Sequence, residues 1–168
     1  MPSHGFSHEV RNSTKIDWFT PPHIFEALGL TFDLDPCSAG EGKDYVPAIN
    51  RYTIEDDGLN KDWFGLVFCN PPYGSETSFW LNKMSQHKNG IALVFARTGT
   101  KWWQKLAPTT TLICFMAGRV KFINGQTNKI EAAAGADSVL MAWGDVSANA
   151  LRQSRLGMCM KLDSCDVS

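Results

Sequence analysis

The sequence predicts an α/β fold: a mainly parallel sheet with helices on both faces and an antiparallel hairpin at one edge. Three observations predict it. Short apolar runs at 66–69, 90–96 and 111–116 alternate with segments of helical spacing, as in successive strand–helix–strand units. The last two strand-like segments, 119–123 and 138–143, are separated by a polar, then Ala-rich and Gly-containing loop and not by a helix, which suits an antiparallel pair. Finally, 168 residues with 43% hydrophobic and 20% charged side chains make one globular domain with a real core.

Residues 1–15 read as a tail, 16–150 as the single domain, and 151–168 as a C-terminal tail. Thr20 is a candidate N-cap and Pro21 a first helical residue. Their helix runs through Ile24, Phe25 and Leu28 to Gly29, a residue suited to a helix end. Thr31-Phe32-Asp33-Leu34 alternates like a short strand and stops at Asp35-Pro36-Cys37-Ser38. Residues 39–50 read as irregular, 51–54 as a short strand, and Asp56-Asp57-Gly58-Leu59 as a turn. Gly65–Cys69 is a buried strand. The stretch from Ser75 to His87 carries Phe79, Trp80 and Met84 at helical spacing. A strand at 90–96, a helix at 98–106 with Trp102 and Trp103, and the strands at 111–116, 119–123 and 138–143 follow. A short helix begins near Asp145.

Composition excludes several classes. No apolar stretch approaches the ~20 residues of a membrane span, and Met1-Pro2-Ser3-His4-Gly5 lacks the basic and apolar regions of a secretory signal. Five irregularly spaced cysteines do not make a disulfide framework. Cys69 and Cys114 sit in apolar runs as buried thiols do, and a reducing cytoplasm suits them. The net charge of −1 hides a segregation. Residues 30–76 hold nine acids and three bases, whereas residues 77–130 hold eight bases and no acid. An acid-free basic half points to an anionic partner, although solvated lysines on exposed helices give the same pattern.

The most informative segment is Asn70-Pro71-Pro72-Tyr73, directly after the apolar run 66–69. A loop leaving the carboxyl end of a buried strand lies where α/β sheets bind ligands. The chemistry such a loop can perform is methylation of an exocyclic amine. The 6-amino lone pair of adenine is delocalised into its ring and is a poor nucleophile. Two acceptors facing the amine hold both its protons and favour a pyramidal nitrogen. The Asn70 side-chain oxygen and the Pro71 carbonyl are the candidates, with Pro72 restricting the backbone. Tyr73 offers a flat face for a base turned out of its stack. An ordinary Asn-Pro turn is the alternative.

Four segments together resemble the phage-type DNA N-6-adenine methyltransferase (Dam) family: Asp17-Trp18-Phe19-Thr20-Pro21, Phe32-Asp33-Leu34-Asp35-Pro36-Cys37, Asn70-Pro71-Pro72-Tyr73 and Gly118-Arg119-Val120-Lys121-Phe122. They stand in the family's order and span roughly residues 16–144. The resemblance implies a class I, Rossmann-like methyltransferase that moves a methyl group from S-adenosylmethionine to adenine in double-stranded DNA. It implies that Asp35 and Pro36 wrap the methionine part of the cofactor, with the carboxylate facing its ammonium, and that Trp18, Phe19 and Thr20 line the same pocket. Alternation puts Asp33 on the same strand face as Asp35, as a residue that supports the site and does not touch the cofactor, and Asp57 of Asp57-Gly58-Leu59 is a candidate contact for the cofactor adenine. Only about thirty residues separate Asp35 from the signature strand, little room for two strand–helix units, so Asp44, Glu55 and Asp56 all remain candidates for the ribose.

DNA contacts are expected from Arg97, Lys101, Lys105, Arg119, Lys121 and Lys129 to phosphates. Phe122 either packs on the flipped adenine or belongs to the core. The loop 124–137, with Asn124, Gln126 and Asn128, is a candidate for reading adenine edges, or else a solvated hairpin loop. Transfer is expected to be direct, with no metal, because the leaving group is already good. The same signature also serves methylation of RNA adenine and of protein glutamine, and a non-catalytic binding module could keep the fold.

Overall fold

The computed structural model describes residues 17–131 and 133–163; the expected N-terminal tail, 1–15, lies outside them, as do residues 164–168. The elements are β1 Trp18–Phe19, α1 Pro22–Leu28, β2 Phe32–Asp35, β3 Ala48–Arg51, β4 Val67–Cys69, α2 Thr77–His87, β5 Gly90–Phe95, α3 Lys101–Leu106, β6 Leu112–Met116, β7 Ile123–Asn124, β8 Ser138–Trp143, α4 Asp145–Ser154 and β9 Gly157–Met160. Seven strands form a mixed sheet in the order β3-β2-β4-β5-β8-β6-β9. The first four are parallel, β8 runs antiparallel between β5 and β6, and β9 is antiparallel to β6. β1 and β7 pair antiparallel as a separate ribbon.

Alternation within the strands builds two cores. Ile91 and Leu93 pack with Ile24, Phe25 and Leu28 of α1 and with Ala148 and Leu151 of α4. Ala92 and Val94 pack on the other face with Trp80, Leu81 and Met84 of α2 and with Trp103 and Leu106 of α3. Both faces of β5 are therefore covered, which is why it reads as an unbroken apolar run. From β2 the chain steps to β3 on one side and returns to β4 on the other. The carboxyl ends of β2 and β4 thus flank a point where the strand order reverses, the usual ligand crevice of an open α/β sheet.

Several expectations need correction. The expected edge hairpin does not form. β8 is buried at all six positions and takes an interior place where both faces are covered. Of 119–123 only Ile123 is in a strand, and it pairs with β1. The antiparallel edge is β9, inside the segment expected to be a tail; it is four residues long with alternating exposure, too short to announce itself. The strand expected at 51–54 lies at 48–51, and the irregular stretch shrinks accordingly. Thr20 does not cap α1: Pro21 occupies that position without a side-chain cap, while Gly29 ends the helix in the left-handed conformation as expected.

Candidate active site

β4 is buried at all three positions and delivers Asn70 to the rim of the sheet. The Asn70 amide nitrogen donates to the Trp18 carbonyl at 3.3 Å and to the Thr20 hydroxyl at 3.4 Å. Its oxygen accepts from the Tyr73 hydroxyl at 3.1 Å. The Pro72 carbonyl accepts from the Thr77 hydroxyl at 2.8 Å, which ties the loop to the start of α2. The Pro71 carbonyl has no hydrogen-bond donor among the described residues. Gly74, at φ +110°, supplies a turn that other residues rarely adopt.

The Tyr73 ring lies flat on Phe95, with centroids 4.4 Å apart and planes 15° from parallel, and meets Phe122 edge-on at 6.2 Å. Offset stacks and edge contacts of this kind fix ring orientation. Desolvation of its hydroxyl pushes the Tyr73 phenol above its ordinary pKa, although the residue as a whole is 37% exposed, so it stays a protonated donor to Asn70. Phe95 carries the Arg97 guanidinium 5.5 Å from its ring centre.

Across the crevice, Asp35 ends β2 and is 3% exposed. Its carboxylate accepts from the Cys37 amide at 2.9 Å and lies 4.0 Å from Arg51. Burial raises its pKa to about 7, against the lowering effects of the Cys37 amide and Arg51 and with help from the neighbouring Asp44 charge. Asp44 is a hub: it accepts from the Ser38 hydroxyl, the Ala39 and Val46 amides and Arg51, holding the loop after β2 in shape. A Cβ at Gly58 would strike the Pro36 carbonyl oxygen, so the Asp57-Gly58-Leu59 turn packs directly on the Asp35-Pro36 loop. The Cys37 and Cys69 sulfurs, 3.5 Å apart, show how closely the two loops approach.

The structure separates the candidate acids. Asp33 and Asp35 do not share a face, because the alternation of β2 breaks. The Asp33 and Leu34 amides both donate to the Leu66 carbonyl, and Phe32 and Leu34 pack into opposite cores. The Asp33 carboxylate accepts from the Leu66 amide at 2.6 Å, tying β2 to the entry of β4. Asp57 is exposed and accepts from the Asn60 side chain at 2.6 Å. Asp56 is engaged by Thr53 and Lys61. Of the three ribose candidates, Glu55 alone has no partner among the described residues.

β5 and β6 run in the same direction, so Arg97 and Lys101 after β5 and Arg119 and Lys121 after β6 lie along the rim that holds Asn70. Lys105 is exposed on α3 and Lys129 on the turn between Ile123 and Ile130, which bridge each other. Arg119 pairs with Asp137 at 3.5 Å, both exposed. Phe122 is buried beside Tyr73. Asn124, expected to point outward, is 4% exposed. Its oxygen accepts from the Gln126 and Thr127 amides and its nitrogen donates to Glu131, so it builds the turn that presents Gln126, Asn128 and Lys129. A cleft of about 340 Å³ between this turn, β1 and the loop after β2 is lined by Phe19, Lys43, Tyr45, Gly125 and Asn128 among others.

The family model for DNA N-6-adenine-methyltransferase (Dam) matches residues 7–159. The chain belongs to the Dam family. No curated protein and no solved structure matches it. Membership makes adenine in DNA the substrate of the family's reaction, and the fold joins segments far apart in the chain at one rim. Trp18 and Thr20 touch Asn70, Phe122 touches Tyr73, and Cys37 in the loop after β2 touches Cys69 at the end of β4. Among the described residues no cluster of three or more His, Cys, Asp or Glu side chains could hold a metal ion, and no helix is long and apolar enough to cross a membrane.

Sequence reasoning missed two participants in this Dam-family site, Phe95 under Tyr73 and Arg51 beside Asp35, and offered Asp44 for the ribose where its oxygens are taken up by the loop after β2 and by Arg51. Phe95 carried a usable signal. It is the last apolar residue of the strand following the signature helix, and adjacent parallel strands bring their ends together. Arg51 was assigned to the start of a strand and in fact ends one, at the same level as Asp35.

Proposed function

We propose that this Dam-family chain methylates the 6-amino group of adenine in duplex DNA, taking the methyl from S-adenosylmethionine and acting on a base flipped out of the helix. The observation that carries the reading is the Asn70 amide, whose oxygen faces Tyr73 beside an unengaged Pro71 carbonyl. The two oxygens accept the amine's two protons while the ring of Tyr73, backed by Phe95, stacks on the base. The proton lost on transfer passes to water, since no ionised base adjoins Asn70 among its hydrogen-bond partners. No side chain needs to act as a nucleophile. The Cys37 thiol is held protonated by burial and by its neighbours Cys69 and Asp35, and a protonated thiol attacks poorly.

The residues present fit the cofactor. Asp35 is a buried carboxylate whose single cationic neighbour among the described residues stands at 4.0 Å, and an ammonium group would relieve its cost of burial. When bound, S-adenosylmethionine supplies an electrophilic methyl group on a positively charged sulfur. Asp35 and Pro36 would hold its methionine part with Trp18, Phe19 and Thr20. Asp57 would flank its adenine and Glu55 its ribose. The strand order fits a class I, Rossmann-like methyltransferase with an antiparallel strand inserted near one end, shortened beyond β3 and extended by β9. Arg97, Lys101, Lys105, Lys121 and Lys129 would meet phosphates, and Arg119 would exchange Asp137 for one.

The test is a methyl-transfer assay with labelled S-adenosylmethionine on unmethylated duplex DNA, RNA and protein, followed by mass spectrometry of the nucleosides. Label in N6-methyladenine from DNA supports the proposal. Label confined to RNA or to protein glutamine moves the substrate, and cofactor binding without transfer to any polymer leaves a binding module.

A further inference from the structure

We infer that Thr20 and the main-chain carbonyl of Trp18 are positioning groups for Asn70, setting which end of its amide faces the substrate; this deepens the reading of the site given above and rests on it. The two ends of a primary amide differ only in that one donates and the other accepts. A backbone carbonyl can only accept. The amide end 3.3 Å from the Trp18 carbonyl must therefore be nitrogen. The second proton of that nitrogen goes to the Thr20 hydroxyl oxygen at 3.4 Å. With both protons used on the β1 side, the Asn70 oxygen must point the other way, where the Tyr73 hydroxyl meets it. Rotating the amide by half a turn would face two carbonyl-type oxygens across 3.3 Å; the Thr20 hydroxyl could then donate instead of accept, so the Trp18 carbonyl chooses the end and Thr20 anchors it.

Thr20 is 3% exposed, so water cannot replace its hydroxyl without rearrangement. It is also released from the task its sequence context suggested, because Pro21 starts α1 without a side-chain cap. β1 is itself fixed from outside: Trp18 pairs with Asn124, Phe19 with Ile123, and the Gly125 amide donates to the Asp17 carbonyl at 2.8 Å. The geometry also accounts for asparagine in place of aspartate at position 70. A carboxylate would keep an acceptor for the amine but turn its second oxygen against the Trp18 carbonyl.

The test compares Thr20→Val, which keeps shape and removes the acceptor, with Thr20→Ser, which restores it. Turnover on duplex DNA at saturating cofactor, cofactor affinity by calorimetry, and the side-chain amide signals of Asn70 in ¹⁵N-labelled protein are measured on each. Thr20→Val is expected to lower kcat roughly 5- to 30-fold, the factor for about one or two kcal/mol of lost hydrogen bonding. It should weaken cofactor binding less than it lowers kcat and shift one Asn70 amide proton toward its solvent-exposed position. Thr20→Ser should recover most of the rate and return that signal. Unchanged kcat and unchanged amide signals in Thr20→Val would overturn the inference, as would a weakened cofactor with normal kcat, which makes Thr20 a cofactor contact alone. If Thr20→Val does not fold, Asn70→Asp decides: activity near that of the unmodified chain overturns the role of the Trp18 carbonyl, and a loss of roughly 100-fold or more with normal cofactor binding supports it. The amide signals are read without turnover, so an inactive parent chain would sink the proposed reaction while these signals still decide the role of Thr20.

Discussion

The carboxyl ends of β2 and β4 lie side by side and are built on opposite principles. The end of β2 is organised by charge: Arg51 pairs with both Asp35 and Asp44, and Asp44 alone takes bonds from two backbone amides, a hydroxyl and a guanidinium. The end of β4 is neutral: an amide, two prolines, a phenol and the rings of Phe95 and Phe122. A cationic ligand is held by field, which needs a buried counter-charge but little directional detail. A neutral amine is held by direction, which needs acceptors at fixed angles and no net charge to compete with them.

Substitutions at the two ends should therefore fail differently. The largest effect belongs to Asn70→Ala. Methylation should fall by at least roughly 10³-fold, while calorimetry finds cofactor affinity within about threefold of the parent. Equal loss of both in a folded variant would make Asn70 scaffold for both ends. Tyr73→Ala should cost about 10- to 100-fold in kcat/KM, the worth of one base–aromatic stack, and Tyr73→Phe much less; steady-state kinetics on one duplex would separate ring from hydroxyl.

At the β2 end, Asp35→Asn should weaken cofactor binding about tenfold or more with a smaller change in kcat at saturation. In the parent chain Asp35 has a pKa raised to about 7. It is neutral below that value and charged above, so affinity for an ammonium-bearing ligand should improve as pH rises through 7, and Asp35→Asn should flatten that profile. A flat profile in the parent would break the contrast between the two ends. The smallest effects are at the rim. Lys121→Ala and Lys129→Ala should each weaken DNA binding by a few-fold regardless of sequence and reduce the slope of log affinity against log salt by about 1.

How much of this was legible in the sequence differs along the same line. β4, β5 and β8 were visible because burial on both faces demands apolar runs, β2 because Phe32 and Leu34 alternate with acids, and the signature loop because Asn-Pro-Pro-Tyr carries its chemistry in four consecutive residues. β3 and β9, at the margins of the sheet, were misplaced or missed. An edge strand is half wet and has a weak pattern. The placement of β8 between β5 and β6 could not be read, since strand order is set by long-range packing. Within the site, Thr20 was read as a cap because Thr-Pro-Pro has that local meaning. Its contact with Asn70, fifty residues away, has no local trace. Asp33 misled for a related reason: regular alternation put it beside Asp35, and the break at Leu34 arises from the neighbouring strand.

The bond between the Tyr73 hydroxyl and the Asn70 oxygen sets a threshold for admission. The hydroxyl takes one lone pair of that oxygen and leaves the second for an arriving donor. On the proposed reading, a base presenting an amino group would share the oxygen with Tyr73, whereas one presenting a carbonyl there would have to draw the Tyr73 hydroxyl away from Asn70. Selection of amino over keto bases would then follow from competition inside the loop itself, before any contact that reads the surrounding DNA.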